Sequence, residues 1–276
     1  MFTLNCRGKI IKVEKPLLMG ILNINGDSFY PGSRYQTLDA IATRAEEMIN
    51  EGADILDIGG QSTRPGSSRV SEEDELGRVM PVMEMLAGKF EGVLLSIDTF
   101  YASVAREAVN AGASMVNDIS AGEMDQNMLA TAASLEAPYI CMHMKGVPET
   151  MHLNVSYENI IIEVLDFFIN KISQCLQAGI KDIIIDPGFG FGKRITHNFE
   201  LLKNMAHFKM LQKPIMAGVS RKSMIYRTLN KDAANALNGT TVLNTVALLH
   251  GANILRVHDI KEAKEAVLLT EALAKA

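Results

Sequence analysis

Short runs of almost unbroken apolar residues alternate along the chain with longer stretches in which apolar positions recur every three or four residues. Eight of the short runs predict β-strands: LLMGILNI (17–24), DILDIGG (54–60), VLLSIDT (93–99), SMVNDIS (114–120), PYICMHM (138–144), DIIIDPG (182–188), PIMAGVS (214–220) and NILRVH (253–258). Strands apolar at nearly every position must be covered on both faces, as in a parallel sheet flanked by helices. The stretches between them, such as TLDAIATRAEEMINEGA (37–53) and SYENIIIEVLDFFINKISQCLQAGI (156–180), predict amphipathic helices. Several end in glycine just before the next strand (NEGAD, NAGAS, QAGIK, HGANI), as a left-handed helix stop followed by a short loop requires.

Eight strand-then-helix units predict an α/β fold, a (β/α)8 TIM barrel. A doubly wound open sheet has the same periodicity, because alternation along a chain says nothing about closure. Ahead of the first barrel strand, FTLNCRGKIIKV (2–13) carries two strand-like runs about Arg7-Gly8 and predicts a β-hairpin closing the bottom of the barrel. No linker, charge block or low-complexity tract interrupts the pattern, so one domain over residues 1–276 is expected.

With 276 residues and 47% hydrophobic content the chain can bury a large core. A formal net charge of −5 gives no general attraction to nucleic acid or an anionic membrane and favours a small-molecule substrate. Cys6, Cys141 and Cys175 are odd in number and form no CxxC pair, which argues for reduced thiols in a cytoplasmic protein rather than a disulfide framework or zinc site. The first apolar stretch, PLLMGILNI, is too short to span a membrane.

Chemistry gathers at the C-terminal ends of the predicted strands. There stand Asn23, Asp57 followed by GGQSTRPGS, Asp98, Asn117 with Asp118, Met142 with His143, Asp186, SRKS (220–223) and RVHD (256–259). In a barrel these ends converge on one mouth, where active sites of this fold are built. The segment PGFGFGKR (187–194) invites a phosphate-cradle reading, but the first glycine a P-loop needs falls on Pro187, and Arg194 follows the Gly-Lys pair. It also fails GxGxxG, with no acid at the ribose-binding distance. Its glycines suit a sharp turn or a close backbone approach to a ligand. That leaves Asp186 as the functional candidate, with capping of the following turn as its competing use; Asp98 could likewise cap the helix after IDTFYAS. His152, His197, His207 and His250 have no partner spacing and are assigned no role.

Taken in order, MGILN (19–23) with GDSF (26–29), GADILDIGGQSTRPGS, LSIDT, VNDIS, MHMKGVPETM, IIIDPGFGFGK with ITHN, GVSRKS and ILRVHD cover nearly the whole chain. In these segments the chain resembles the dihydropteroate synthase family. The resemblance implies a (β/α)8 barrel that joins (7,8-dihydropterin-6-yl)methyl diphosphate to 4-aminobenzoate, releasing pyrophosphate with Mg2+ present. It also implies a homodimer formed through helices of the C-terminal half. Asp186 matches the acid that holds the pterin edge, with Asn117 beside it and Asp98 as a second pterin-facing acid. A guanidine-like edge is well met by a carboxylate accepting two parallel hydrogen bonds, and the charge of Asp98 would favour positive charge on the methylene carbon as diphosphate leaves.

Arg64, Arg256 and His258, with Thr63 and Asn23, match the anion-binding set. Asn23 is also the expected Mg2+ ligand, and Arg256 can stack on the pterin ring. By the same resemblance Lys222 reaches the pterin carbonyl and Ser223 faces the benzoate carboxylate. Phe29, Pro65 and Phe191 flank the ring, and Met142 packs on the pterin. Asp98, Lys222, Arg256 and His258 form the expected catalytic set; none acts as a covalent nucleophile, since leaving-group stabilisation and positioning of the amine suffice. Two other readings stay open: a pterin-binding methyltransferase barrel, which would not need STRPG and RVHD, and a non-catalytic homologue. The second is kept by NINGDSF (23–29), where Asn25-Gly26 replaces the family's Thr-Pro.

Overall fold

The computed structural model describes residues 2–24, 34–61, 69–151 and 155–276. Asn25, Gly26, Phe29, Thr63, Arg64, Pro65 and His152 lie outside the described residues. The chain opens with strands β1 (Phe2–Cys6) and β2 (Lys9–Val13), paired antiparallel from Phe2↔Val13 to Cys6↔Lys9. Arg7 and Gly8 between them have φ of 55° and 89°. Two successive positive φ values make the type I′ turn, whose twist matches that of the strands it joins.

The barrel strands are β3 (Leu17–Asn23), β4 (Ile55–Gly59), β5 (Leu94–Asp98), β6 (Met115–Asp118), β7 (Tyr139–Met142), β8 (Ile183–Asp186), β9 (Met216–Ala217) and β10 (Ile254–Val257). All pair in parallel, in the order β8-β7-β6-β5-β4-β3-β10-β9. A parallel bridge Ile185↔Ile215, with the Ile185 N–H donating to the Pro214 carbonyl at 2.9 Å, brings the two ends of this sheet together. The ring is a nearly closed barrel, and the open-sheet alternative is set aside. Every predicted strand is present in shortened form, most severely at 214–220. There the ladder ends at Ala217, because Gly218 has no side chain to pack and the chain soon turns through Arg221 at φ 52°.

Helices α1 (Arg34–Glu51), α2 (Glu72–Lys89), α3 (Ala102–Asn110), α4 (Met128–Ser134), α5 (Ile160–Ala178), α6 (Ile195–Lys203), a short α7 (Ser223–Tyr226), α8 (Leu237–Leu249) and α9 (Ile260–Lys275) follow the strands. The glycine stops hold: Gly52, Gly112, Gly179 and Gly251 have φ of 107°, 123°, 98° and 99°. Between strands and helices lies the larger apolar core, which includes Leu56, Ile97, Val116, Phe168, Phe208 and Val257. Within the ring a second cluster joins Met19, Ile55, Leu94, Met115, Ile140, Ile184, Met216 and Ile254 to Leu4, Cys6 and Val13 of the hairpin. The hairpin therefore closes the bottom of the barrel, with the Asn5 N–H donating to Asp182 just ahead of β8 at 2.9 Å.

Candidate active site

The pleat of a strand sends every second side chain to the same face. Two residues above the apolar cluster, the inward positions therefore carry Asp57, Ser96, Asn117, Met142, Asp186, Gly218 and Arg256, with Asp98 one step higher on β5. The same rule sorts the polar strand ends, since Asp118 and His143 fall on the opposite phase. Asp118 accepts from the Ser120 N–H and hydroxyl, the Gly122 N–H and the Tyr139 hydroxyl, all at 2.7 Å, so it organises the loop after β6.

At the centre of the polar layer is Arg256. Its Nε donates to Asp57 Oδ2 at 2.7 Å and a terminal nitrogen to Asp98 Oδ2 at 2.6 Å, while Asn117 Nδ2 donates to the same Asp57 oxygen at 2.9 Å. Asp57 is fully buried, and its Oδ1 and the Ser96 hydroxyl on the next strand have no hydrogen-bond partner among the described residues. Burial pushes the Asp98 carboxyl up to about 7, with Arg256 pulling against it and the charges of Asp57 and Glu75 adding to it. Burial works against the charge of Arg256 too, yet Asp57 and Asp98 hold the guanidinium above its ordinary value. Asp98 does not cap α3; the Ala102 N–H at the start of that helix donates to Asp125.

Asp186 serves both of its expected settings, on the inward face of β8 and as the cap of the turn after it. Its Oδ1 accepts from the Gly188 N–H at 2.8 Å. Burial raises its pKa, opposed first by Lys222 and then by the Gly188 N–H. Gly188, Gly190 and Gly192 have φ of 68°, 88° and 63°. A Cβ on Gly188 would also run into the His143 carbonyl, and one on Gly192 into that of Lys145. These glycines serve a left-handed turn pressed against the end of β7. Over the turn Lys222 donates to the Phe189 carbonyl and stands 4.7 Å from the centre of the Phe191 ring. Burial lowers Lys222 to about 8, with Asp186 opposing.

On the far side of Arg256, His258 Nδ1 lies 3.1 Å from the Ser220 hydroxyl oxygen, which also accepts from the His258 backbone N–H at 3.2 Å. Burial, and then the charge of Arg256, bring this imidazole down to about 4, so it is neutral near pH 7. Arg221 grips both carboxylate oxygens of Asp259 at 2.9 and 2.8 Å and donates to the carbonyls of Ala233 and Ala234.

These groups surround a cavity of about 620 Å³ at the barrel mouth. Of the residues expected from sequence, Asn23, Asp98, Phe191, Lys222, Ser223, Arg256 and His258 line it. Asn117, Met142 and Asp186 are buried within the mouth and are not part of its lining; Met142 packs with Phe100 and Ile119, against Phe191. Sequence reasoning gave no role to Asp57, Ser220, Arg221 or Lys193. Arg221 and Ser220 could have been found in SRKS, whereas Asp57 sits inside an apolar run and Lys193 inside the glycine motif. Among the described residues no group of three or more His, Cys, Asp or Glu could hold a metal ion. The exposed carboxamide of Asn23 is the oxygen donor at the cavity edge that fits a weak, single protein ligand.

The fold and mouth are those of a pterin-binding barrel, and the chain belongs to the family of pterin binding enzymes, which it matches over residues 19–258. It is 42% identical over 272 residues to dihydropteroate synthase of Escherichia coli (strain K12), covering 98% of this chain and 96% of that protein. The crystal structure of the Yersinia pestis dihydropteroate synthase with a sulfonamide drug superposes with a TM-score of 0.93 at 40% identity, covering 100% of both chains. The Xanthomonas albilineans dihydropteroate synthase with 4-aminobenzoic acid gives 0.91 at 37% identity, covering 99% and 98% of the two chains.

Proposed function

We propose that this chain is a transferase of folate biosynthesis that condenses (7,8-dihydropterin-6-yl)methyl diphosphate with 4-aminobenzoate, giving 7,8-dihydropteroate and pyrophosphate. The observation that carries the reading is one cavity in which Arg256, His258 and Lys222 converge over a buried layer of Asp57, Asn117 and Asp186. Similarity to dihydropteroate synthases along nearly the full chain supports it.

The Asp186 carboxylate and the Asn117 amide accept and donate along the pterin edge. Arg256, pinned along its edge by two carboxylates, keeps a fixed flat face on which a pterin can stack. When the carbon–oxygen bond breaks, the electron pair leaves with the diphosphate, and ionised Asp98 favours the positive charge left on the methylene carbon. The amine nitrogen of 4-aminobenzoate then bonds to that carbon and gives up a proton. His258, neutral in the free protein, donates one N–H to the diphosphate and gains affinity for a proton as that anion arrives. Lys222 meets the pterin carbonyl, Ser223 the benzoate carboxylate, and Phe191 flanks the ring beside Met142. In the same reading Thr63 and Arg64 bind the anion, and Pro65 and Phe29 flank the aminobenzoate. Asn23 would hold Mg2+ together with diphosphate oxygens and water, the ion offsetting charge on the leaving group.

The reading includes a cytoplasmic homodimer of one-domain chains, for which Val242 and Leu249 of α8 and Leu268, Leu269 and Leu273 of α9 offer exposed apolar surface. It is tested by incubating purified protein with the pterin diphosphate, 4-aminobenzoate and Mg2+, and following pyrophosphate and dihydropteroate. Pterin binding without either product would identify a non-catalytic homologue, and methyl transfer to a corrinoid protein the methyltransferase.

A further inference from the structure

Lys193, the residue that ends the glycine motif, is buried, and among the described residues no carboxylate touches its amine. Its Nζ lies 2.9 Å from the Gly188 carbonyl oxygen, 3.0 Å from that of Phe191 and 3.2 Å from that of His143, with His143 Nδ1 at 2.8 Å. Three carbonyl oxygens around one nitrogen call for three N–H donors, which an ammonium has and a neutral amine lacks. The buried, neutral His143 ring, when its proton is on Nε2, is a fourth acceptor that shares one of these three hydrogens with a carbonyl in a bifurcated bond. Two of the carbonyls belong to the left-handed turn whose Gly188 N–H holds Asp186, and the third to the end of β7 directly after Met142. One buried cation thus ties the turn to the neighbouring strand and sets a positive charge behind Asp186.

We propose that Lys193 is a positioning residue for pterin recognition, fixing the Gly188–Phe191 turn against β7 and keeping the Asp186 carboxylate aimed and ionised. The inference rests on the function proposed above. The charged and titratable groups facing Asp186 are Lys193 from its own turn, Lys222 from the loop after β9 and Arg256 from β10; those facing Lys193 are Asp186, Lys222 and His143. Burial already raises Asp186, and Lys193 is one of the charges that oppose this. Burial likewise pulls Lys193 well below the usual lysine value while Asp186 holds it up. Removing the ammonium should therefore raise Asp186 further, so that a ligand needing the ionised carboxylate binds less well as pH falls.

The test compares the full chain with Lys193→Met, which keeps the length of the stem without its charge. Calorimetric binding of the dihydropterin diphosphate is measured from about pH 6 to about pH 7.5, as a ratio to the unaltered protein at each pH so that Asp98, Lys222 and His258 cancel as common titrations. The variant is expected to bind about tenfold more weakly near pH 6, with the gap closing as pH rises. Its KM for the pterin diphosphate should change more than kcat. A gap that is absent, or constant across the range, overturns the inference. Lys193→Met in an Asp186→Asn background gives a second measure that does not leave a carboxylate uncompensated. There the lysine change should cost almost nothing in pterin affinity, and an equal loss in both backgrounds also overturns it. Failure of the unaltered chain to bind the pterin diphosphate would instead overturn the proposed function.

Discussion

The two inward layers of the barrel lie two residues apart on the same strands and have opposite chemistry. Below, Ile55, Leu94, Met115, Ile140, Ile184, Met216 and Ile254 close over the hairpin. Above, Asp57, Asn117 and Arg256 share directed bonds, Asp186 accepts from the Gly188 N–H, and Asp57 Oδ1 and the Ser96 hydroxyl have no partner among the described residues. Each fully buried side chain of the lower layer contributes about 1.5–3 kcal/mol to folding. A buried ion pair returns little beyond its desolvation cost, although breaking it by removing one member is expensive. The lower layer thus holds the ring shut, and the upper layer can be organised for a ligand because it is not asked to do so.

The largest effect is expected of Arg256→Met. It leaves Asp57 and Asp98 facing each other without their cation, and should cost about 3–5 kcal/mol in urea denaturation as well as nearly all turnover. A loss of the size expected for a surface substitution would mean that the carboxylates are not held as described. In the lower layer Ile184→Ala should cost about 2–5 kcal/mol of stability, while kcat/KM per folded molecule stays close to that of the unaltered protein. Between these extremes, Asp186→Asn should weaken pterin binding by about 1.5–3 kcal/mol with stability almost unmoved, since an amide cannot accept both donors. Calorimetry beside a denaturation curve separates the two quantities.

The smallest effect is one of pH. With its pKa raised to about 7, folded Asp98 keeps a proton that the unfolded chain has lost above the ordinary value of 3.8. Its contribution to stability therefore falls as pH rises from about 4 to about 7. The difference in unfolding free energy between the unaltered protein and Asp98→Asn should slope in that direction across the window and flatten above it. An opposite slope would show that Arg256 outweighs burial at this carboxylate.

Much of the lower layer was legible in the sequence, because a strand buried on both faces writes itself as an apolar run. The Arg7-Gly8 turn and the glycine helix stops were legible for a similar reason: each is a local demand for positive φ met by a nearby residue. Closure was not, since the bridge between Ile185 and Ile215 joins residues whose own pattern is the same in an open sheet. In the upper layer residue types were readable at the strand ends, but their pairing was not. Asp57 and Arg256 are separated by 199 residues, and nothing local marks the acid inside DILDIGG as the partner of RVHD. The alternation that turns Asn117 inward and Asp118 outward was available and unused, as was the basic end of PGFGFGK once the P-loop reading had failed.

The seam of the ring gives the mouth a rhythm of its own. Strand β9 offers two paired residues to β10 and its chain a single bridge to β8, whereas β3 and β4 share five. Amide hydrogens around Ile185, Ile215 and Met216 should therefore exchange with deuterated water sooner than those of β3 to β5, because fewer bonds must part together for solvent to enter. Asp186, Gly218, Ser220 and Lys222 stand on or just above this fast side, and Asp57 and Asp98 on the slow one. A flat guest would rest on a wall that hardly breathes at Asp57 and Asp98, while its edge, met by Asp186 and Lys222, would lie on the looser side through which a bulkier two-part product would depart.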